Sequence, residues 1–550
     1  MTGASILNGW TGLALGYAAV QGPMIAGLAR GRAAVRDYLL SPVAAVPLTA
    51  VAAIGTALSS AWSSALGAGP VLQVALGTAI CGAAGYGAGK MLALRGEPGR
   101  VHQRGSLIAD GIAESPRVSH AGPAASLSLA GIALQPMDEV KHFKLIGTTG
   151  TGKSTAIASL LDRALARGDR AVIADPDGGY LRRFYRPSRG DVILNPFDSR
   201  SVKWDLFGEI STPYDVDQLA RALIPDHEGQ DRSWRAYART FFSAVTRQLA
   251  DAGVRDVGEL YRVLVMAGTD ELRGLVRGTP AQPFLEESNA RMFDSVRSVT
   301  AAAIGSLDYV AQHQGQALSV RDWVRERGSG VMFIPYQAGQ IAALRSTISA
   351  WMRLAIFETM NGPEDGSGAS NRTWFVVDEL DALGQIDGLK DALARIRKFG
   401  GRCVLGFQSL AQVSSTYGAG DAHTLIENCA NTLILRCSAS EGGGTARFAS
   451  QLVGDREVIR ATRSTSRRYG ELLGSTTRTE HFAVEAALLP SEIEQLPDMA
   501  GYVKLASSPR WQRVDFSPAL GRSPVQPAAS TPDARVAHSR PRSHDSWERE

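Results

Sequence analysis

Cysteine is scarce in this chain, and its distribution excludes small cross-linked folds. Four cysteines occur among 550 residues, and the nine histidines form no ligand pair with them. The four are Cys81, Cys403, Cys429 and Cys437. They show neither metal-ligand spacing nor a pairing rhythm, which argues against a zinc module and a disulfide framework. We therefore expect reduced cysteines in a cytosolic main body.

A large excess of charge of one sign is also missing. The net charge is +4, with 44% hydrophobic and 20% charged residues. This balance does not by itself indicate a nucleic-acid partner, so any basic surface must be local, such as the lining of a channel. The length exceeds what one hydrophobic core usually supports, which predicts two or more domains.

Charge is absent altogether from Tyr38 to Gly89, a run of 52 positions. A helix crosses a bilayer in about 20 apolar residues, so the run predicts two spans, Ser41–Trp62 and Pro70–Leu92, with a turn over residues 63–69. The basic residues that flank it are Arg30, Arg32, Arg36, Lys90, Arg95, Arg100 and Arg104. Because basic flanks stay on the cytoplasmic side, we expect a hairpin anchor, with everything past residue 95 inside the cell.

Two alternatives concern this amino-terminal part. Residues 1–29 are also uncharged, but polar and small residues dilute them, so a third span stays open. Gly85 and Gly89 lie four apart, a spacing that lets helices approach closely and helps subunits associate, although glycine is common in membrane helices. A buried hairpin in a soluble protein is the competing interpretation, and the absence of charge on either helix face argues against it.

A glycine-rich loop joins an apolar run, Phe143–Ile146, to a helix-like stretch, Ala156–Ala166. The loop positions are Gly147, Thr148, Thr149, Gly150, Thr151, Gly152, Lys153, Ser154 and Thr155. Backbone N–H groups of such a loop surround a phosphate chain, and the helix that follows adds the positive end of its dipole. Lys153 is expected to neutralise phosphate oxygens and Ser154 to ligate magnesium. The pattern therefore predicts binding of ATP and Mg²⁺.

The order of the remaining patterns predicts an α/β fold. Strand-like runs alternate with helices, which favours a parallel sheet with helices on both faces, and residues 206–315 show helical periodicity alone. The expected division is an amino-terminal segment (1–40), a transmembrane hairpin (41–95), a discontinuous nucleotide-binding domain (96–205 and 316–520), an all-α domain (206–315) and a disordered tail (521–550).

An apolar strand, Trp374–Val377, ends in two carboxylates that suit the phosphate loop. Asp378 would hold magnesium through water, and Glu379 would orient and deprotonate the attacking water. Acidic pairs after strands often only cap a helix; the phosphate loop favours the catalytic interpretation. Gln408, at the end of the strand 403–407, is predicted to sense the γ-phosphate.

Several cations are candidates for further roles. Arg397 and Lys398 lie between the two strands, where a ring-shaped ATPase presents a cation to its neighbour's nucleotide, and Arg436 is a second candidate. A surface salt bridge is the alternative for each. In the helical region, arginines 235, 239 and 247 either line a nucleic-acid path or form a solvated helix face.

Together these residues resemble the coupling proteins of type IV secretion and bacterial conjugation, of the TraD/TrwB kind. The motifs that carry the resemblance are Glu139–Phe143, Asp175–Tyr180, Asn195–Asp198 with Trp204, Ser233–Trp234, Ala238–Phe242, Arg397–Gly400 and Phe407–Leu410. They and the predicted hairpin cover residues 40–515. The turn between the spans is shorter than is common in this family, which puts contacts on the periplasmic side in doubt.

The resemblance implies a RecA-like P-loop NTPase domain on a membrane anchor, assembled as a homo-hexamer beneath the bacterial inner membrane. It implies sequence-nonspecific DNA binding, ATP hydrolysis, and a link between a relaxase–DNA complex and the secretion channel. The implied site residues are Lys153, Ser154, Asp378 and Glu379, with Gln408 as sensor and Arg397 as the finger from the adjacent subunit. Two alternatives stay open, namely export of protein effectors and a recruitment platform that uses nucleotide only to switch its assembly.

Overall fold

Apolar runs of the sequence form the strands of a large mixed sheet. The structure, a computed structural model, describes residues 3–30, 35–65, 70–94, 101–114, 127–226, 231–326, 328–364, 372–440, 443–466 and 475–517. The strands are β1 (Val101–Gly105), β2 (Leu107–Glu114), β3 (Ser128–Leu129), β4 (Ile132–Ala133), β5 (Phe143–Ile146), β6 (Arg170–Pro176), β7 (Val192–Ile193), β8 (Lys203–Trp204), β9 (Ala317–Leu318), β10 (Val331–Tyr336), β11 (Thr373–Val377), β12 (Gly401–Phe407), β13 (Asn431–Ile434), β14 (Asp455–Ser466), β15 (Ser475–Ala486), β16 (Ala500–Lys504) and β17 (Arg510–Asp515).

Helices connect most of these strands. They are α1 (Gly3–Arg30), α2 (Val35–Ala65), α3 (Pro70–Leu94), α4 (Pro136–Glu139), α5 (Lys153–Ala166), α6 (Gly179–Phe184), α7 (Pro213–Leu223), α8 (Arg232–Asp251), α9 (Val257–Val265), α10 (Thr269–Leu275), α11 (Ala290–Ile304), α12 (Ser306–Gln312), α13 (Val320–Arg325), α14 (Ile341–Asn361), α15 (Leu389–Arg395), α16 (Leu410–Tyr417), α17 (Ala419–Glu427), α18 (Gly444–Val453) and α19 (Pro490–Glu494). The predicted tail, residues 521–550, lies outside the described residues, as does most of the turn over residues 63–69.

The large sheet has the strand order β2-β17-β16-β13-β5-β12-β11-β6-β10-β7. The strands from β13 to β7 are parallel to their neighbours, which confirms the α/β fold predicted from the alternating pattern. β16 runs antiparallel to both β13 and β17, so the sheet is mixed rather than wholly parallel. The parallel strands β5, β12 and β11 therefore have their carboxyl ends at one edge of the sheet, where polar side chains can meet.

Both faces of the sheet are covered. Along β6, Val172 and Ala174 belong to one buried cluster, whereas Ala171 and Ile173 belong to the other. This alternation follows from the twofold repeat of a strand. The first cluster includes the apolar sides of the helices from α7 to α12, so the helical segment packs in the same unit as the sheet. The second includes the buried side of α5.

A second unit comprises residues 1–104 and 456–485. It contains the three amino-terminal helices and a three-stranded sheet in the order β1-β14-β15. A Cβ atom on Gly85 would stand 2.2 Å from the carbonyl oxygen of Val20, and one on Gly89 would stand 2.1 Å from that of Met24. The two glycines therefore let α3 approach α1 of the same chain, which is a use of this spacing within the subunit.

One helical segment of the described residues is long and apolar enough to cross a membrane, Asp37–Ile54 within α2. The predicted second span does form a helix, α3, but among the described residues it is not one of the segments that meet this criterion. Neither the two-span hairpin nor a multi-pass arrangement is supported by this measure. The basic flank at Arg32 lies outside the described residues.

Candidate functional site

The loop between β5 and α5 is held by backbone hydrogen bonds to neighbouring strands. The N–H of Gly147 donates to the carbonyl of Phe407 at 3.3 Å, and the N–H of Thr148 donates to that of Arg436 at 2.9 Å. Gly150 and Gly152 take φ values of +77° and +113°, in the region that favours glycine. The loop therefore has the fixed shape that a phosphate cradle needs.

Lys153 begins α5 and folds back over the loop. Its side chain is buried, and its Nζ donates to the carbonyls of Gly147 and Thr148 at 2.6 and 3.2 Å. Burial lowers the pKa of Lys153, while the negative charges of Asp378 and Glu379 act in the opposite direction. The ammonium group is thus held at the loop, where a phosphate chain would receive its charge.

Ser154 and Asp378 meet as the sequence predicts. The Ser154 hydroxyl donates to Oδ2 of Asp378 at 2.5 Å. Asp378 is 2% exposed, and within the described part of the chain its Oδ1 is buried without a hydrogen-bond partner. A buried carboxylate oxygen without a donor indicates a missing partner, and an oxygen pair of this kind is what Mg²⁺ prefers. The residues present therefore fit a magnesium ion. Thr155 follows on the same helical turn and is half-buried.

Gln408 joins the loop to the second carboxylate. Its Nε2 donates to Oε1 of Glu379 at 2.9 Å, and its Oε1 accepts the hydroxyl of Thr149 at 3.0 Å. Burial and the neighbouring charge of Asp378 raise the pKa of Glu379. The structure therefore brings together the loop, the predicted base and the predicted sensor at one edge of the sheet.

The cations proposed for a neighbouring subunit lie at different edges. Arg397 and Lys398 are exposed on a short 3₁₀ helix, Ile396–Phe399, which precedes the amino end of β12. About 20 Å of strand separates that end from the phosphate loop. Arg436 instead follows β13 beside the loop, and its Nη2 pairs with Asp498 at 2.6 Å. Arg436 thus makes the salt bridge that was the alternative to a catalytic role.

The sequence did not single out a tyrosine that contacts the site. The hydroxyl of Tyr180, on α6, donates to Oδ2 of Asp378 at 2.8 Å. Tyr180 is 4% exposed. The turn from Asp175 to Tyr180 contributes to the family resemblance, but no chemistry was predicted for it. Its position after a central strand was the available signal, since the carboxyl ends of parallel strands share one edge.

The arginines of the helical segment are already engaged within it. Arg239 pairs with Asp226 at 2.6 Å, and Arg247 pairs with Asp217 at 2.5 Å. Arg235 lies on the same helix, α8, and its Nη1 is 3.4 Å from the carbonyl oxygen of Pro225. These ion pairs favour the interpretation that the arginines form a solvated helix face over the interpretation that they line a path for nucleic acid.

A glycine-rich loop before a helix, with a lysine, a hydroxyl and two strand-end carboxylates around it, defines a P-loop nucleotide-binding protein. Residues 126–517 match the family model described as the type IV secretion-system coupling protein DNA-binding domain. The chain belongs to that family of coupling proteins.

Individual relatives agree with this assignment. The chain is 31% identical over 373 residues to the coupling protein TraD of Escherichia coli (strain K12), covering 67% of this chain and 51% of TraD. It therefore spans about half the length of that relative. The solved structure of the plasmid coupling protein TrwB with the non-hydrolysable ATP analogue ADPNP is similar with a TM-score of 0.67 and 28% identity, covering 78% of this chain and 96% of TrwB. A second structure, of TrwB with ADP and Mg²⁺, has a TM-score of 0.64 and 30% identity, covering 72% of this chain and 90% of TrwB.

Proposed function

We propose that this protein is a membrane-anchored ATPase of bacterial conjugation. In this proposal it assembles as a homo-hexameric ring at the inner membrane and couples a relaxase–DNA complex to a type IV secretion channel. ATP hydrolysis then drives DNA translocation. The observation that carries the enzymatic part is the meeting of Lys153, Ser154, Asp378, Glu379 and Gln408 at one edge of the sheet.

Each side chain has a distinct task in hydrolysis. Lys153 binds the phosphate oxygens, and Ser154 with Asp378 would hold Mg²⁺, which neutralises charge on those oxygens when bound. Glu379 orients a water and accepts its proton. The raised pKa of Glu379 makes it a stronger base than an exposed glutamate. The solved TrwB complexes with ADPNP and with ADP and Mg²⁺ support ATP and Mg²⁺ as the ligands here.

DNA binding is supported by membership of a family named for a DNA-binding domain. Translocation along any sequence needs contacts with the phosphate backbone, because these carry no base information. In the all-α segment, arginines 239 and 247 are paired with carboxylates. These two arginines are therefore not expected to be the main contacts to the DNA backbone.

The proposal is tested with Lys153→Ala in the full chain, purified in detergent. This change removes the cation that the loop holds over the phosphate site, so ATP turnover and conjugative transfer should both be lost. The matched control is Lys141→Ala, at the opposite end of the same strand, where turnover and transfer should stay at the wild-type level. Membrane insertion should be unchanged in both variants.

Two results would contradict the proposal at different points. Full transfer by Lys153→Ala would remove the motor role. ATP turnover in the wild-type protein that added single- or double-stranded DNA leaves unchanged would contradict DNA as the cargo. Stimulation by a protein cargo alone would favour effector export.

A further inference from the structure

A chain of buried polar groups lies behind the predicted magnesium site. It begins at Asp175, which is fully buried at the end of β6. Its Oδ1 accepts the backbone N–H of Tyr180 at 3.0 Å, and its Oδ2 accepts that of Leu181 at 2.7 Å. The carboxylate thereby fixes the first turn of α6, and with it the direction in which Tyr180 leaves the helix.

The chain continues from Tyr180 to the carboxylate at the end of β11. Tyr180 donates to Oδ2 of Asp378 at 2.8 Å, and the same oxygen accepts the hydroxyl of Ser154 at 2.5 Å. Two donors on one oxygen fix the rotation of the carboxylate. The other oxygen, Oδ1, is left buried and without a hydrogen-bond partner among the described residues.

We infer that Tyr180 is a positioning residue, which holds Asp378 so that its carboxylate is oriented for a divalent cation before the cation arrives. This inference rests on the proposed function, because the cation is the one that accompanies the nucleotide. Removal of a group that orients a metal-binding carboxylate typically lowers the affinity for the metal 10- to 100-fold. Tyr180 itself touches neither nucleotide nor metal in this scheme.

A second buried tyrosine provides a matched control. Tyr336 ends β10, is 4% exposed, and its hydroxyl has no hydrogen-bond partner within the described part of the chain. Tyr180→Phe and Tyr336→Phe each remove one oxygen from a buried ring at the same edge of the sheet. Only the first removes a donor from Asp378.

The test measures Mn²⁺ binding to the full chain in detergent by the loss of the free-ion electron paramagnetic resonance signal. A non-hydrolysable ATP analogue is present, and a parallel titration measures the affinity for a fluorescent ATP analogue in EDTA. We expect Tyr180→Phe to bind Mn²⁺ about 10- to 100-fold more weakly than the wild type. The metal-free affinity for nucleotide should be unchanged, and Tyr336→Phe should match the wild type in both titrations.

Equal Mn²⁺ affinity in Tyr180→Phe and the wild type overturns the inference. So does a parallel loss of metal-free nucleotide affinity, since that indicates general damage to the loop. Should Tyr180→Phe not fold, Asp175→Asn decides, because it keeps the side-chain size but turns one of two acceptors into a donor. Weaker Mn²⁺ binding by Asp175→Asn supports the inference, and unchanged binding overturns it. Failure of the wild type to bind Mn²⁺ with the analogue contradicts the proposed function instead.

Discussion

His142 shows what burial does to a single titratable residue in this sheet. It is 2% exposed at the amino end of β5. Its Nδ1 accepts the N–H of Cys403 at 3.1 Å, and its Nε2 donates to the carbonyl of Leu393 at 2.9 Å. Burial lowers the pKa of His142 from 6.5 to about 4, although the bond to Leu393 acts in the opposite direction. The neutral imidazole is therefore the form that the fold requires.

The pH dependence of folding follows from this shift. The folded-state pKa of His142 lies below its ordinary value, so the unfolded chain takes up the proton first as the pH falls. The stability that the neutral ring contributes is complete above about pH 6.5 and is lost as the pH falls through about 4. We expect the wild type to lose about 3 kcal/mol more stability than His142→Gln over this window.

Thermal unfolding of the full chain in detergent, followed at several pH values, checks this prediction. The comparison of wild type with variant removes the contribution of other groups that titrate in the same window. Parallel curves of Tm against pH for the two proteins would show that His142 does not titrate as described.

At the scale of secondary-structure elements, the pair β11 and β12 is held together closely at the catalytic edge. A Cβ atom on Gly406 would stand 2.3 Å from the carbonyl oxygen of Asp378 and 3.0 Å from its Oδ1. Gly406→Ala should therefore force the strands apart and displace Asp378. We expect a loss of about 1–3 kcal/mol in the free energy of unfolding and a greater requirement for Mg²⁺ in ATP turnover.

Gly420→Ala is the control for this substitution. It lies in α17, and a Cβ atom there meets nothing within 4 Å. Its free energy of unfolding should not fall below that of the wild type, because alanine favours a helix more than glycine does, and its Mg²⁺ dependence should equal that of the wild type. Wild-type Mg²⁺ dependence in Gly406→Ala would mean that the strands adjust without moving the carboxylate.

The strands that the sequence predicted well are those buried on both faces. Phe143–Ile146 coincides with β5, and Trp374–Val377 lies within β11, because central strands of a parallel sheet are continuous apolar runs. β13 ends at Ile434. Two residues further on, the carbonyl of Arg436 accepts the N–H of Thr148 in the phosphate loop.

What the sequence did not predict depends on contacts between distant segments. β14 and β15 pair in a separate sheet with β1, yet their charged residues interrupt any apolar pattern. The phosphate-loop residues and the two carboxylates were predictable because their spacing follows from their chemistry. Tyr180 was not, since its contact with Asp378 arises only when β6 and β11 become neighbours.

At the scale of the whole molecule, Arg397 and the phosphate loop lie at opposite edges of one sheet. In the proposed ring, Arg397 would therefore act on the neighbouring subunit's nucleotide and not on that of its own subunit. Arg397→Ala and Lys153→Ala should each be inactive alone, because each lacks one half of every site. Mixed before assembly, they should regain on the order of a quarter of the wild-type turnover, where an intact loop meets an intact arginine.

The ATPase rate of the mixture, compared with the mean of the two separate variants, measures this complementation. A mixture of Lys153→Ala with inactive Lys153→Ala/Arg397→Ala is the control and should stay inactive. If the mixture of Arg397→Ala and Lys153→Ala is no faster than its components, Arg397 does not act on the neighbouring subunit's nucleotide. The next comparison would then be a mixture of Arg436→Ala and Lys153→Ala.

The amide of Gln408 has two ends, and in this structure both are occupied, one by Thr149 and the other by Glu379. Anything that draws this amide toward an incoming γ-phosphate must release at least one of them. In the proposed mechanism, losing the hydrogen bond to Gln408 would leave the carboxylate of Glu379 free to accept a hydrogen bond from the attacking water. Such coupling between γ-phosphate binding and release of the base would limit unproductive ATP hydrolysis between rounds of transfer.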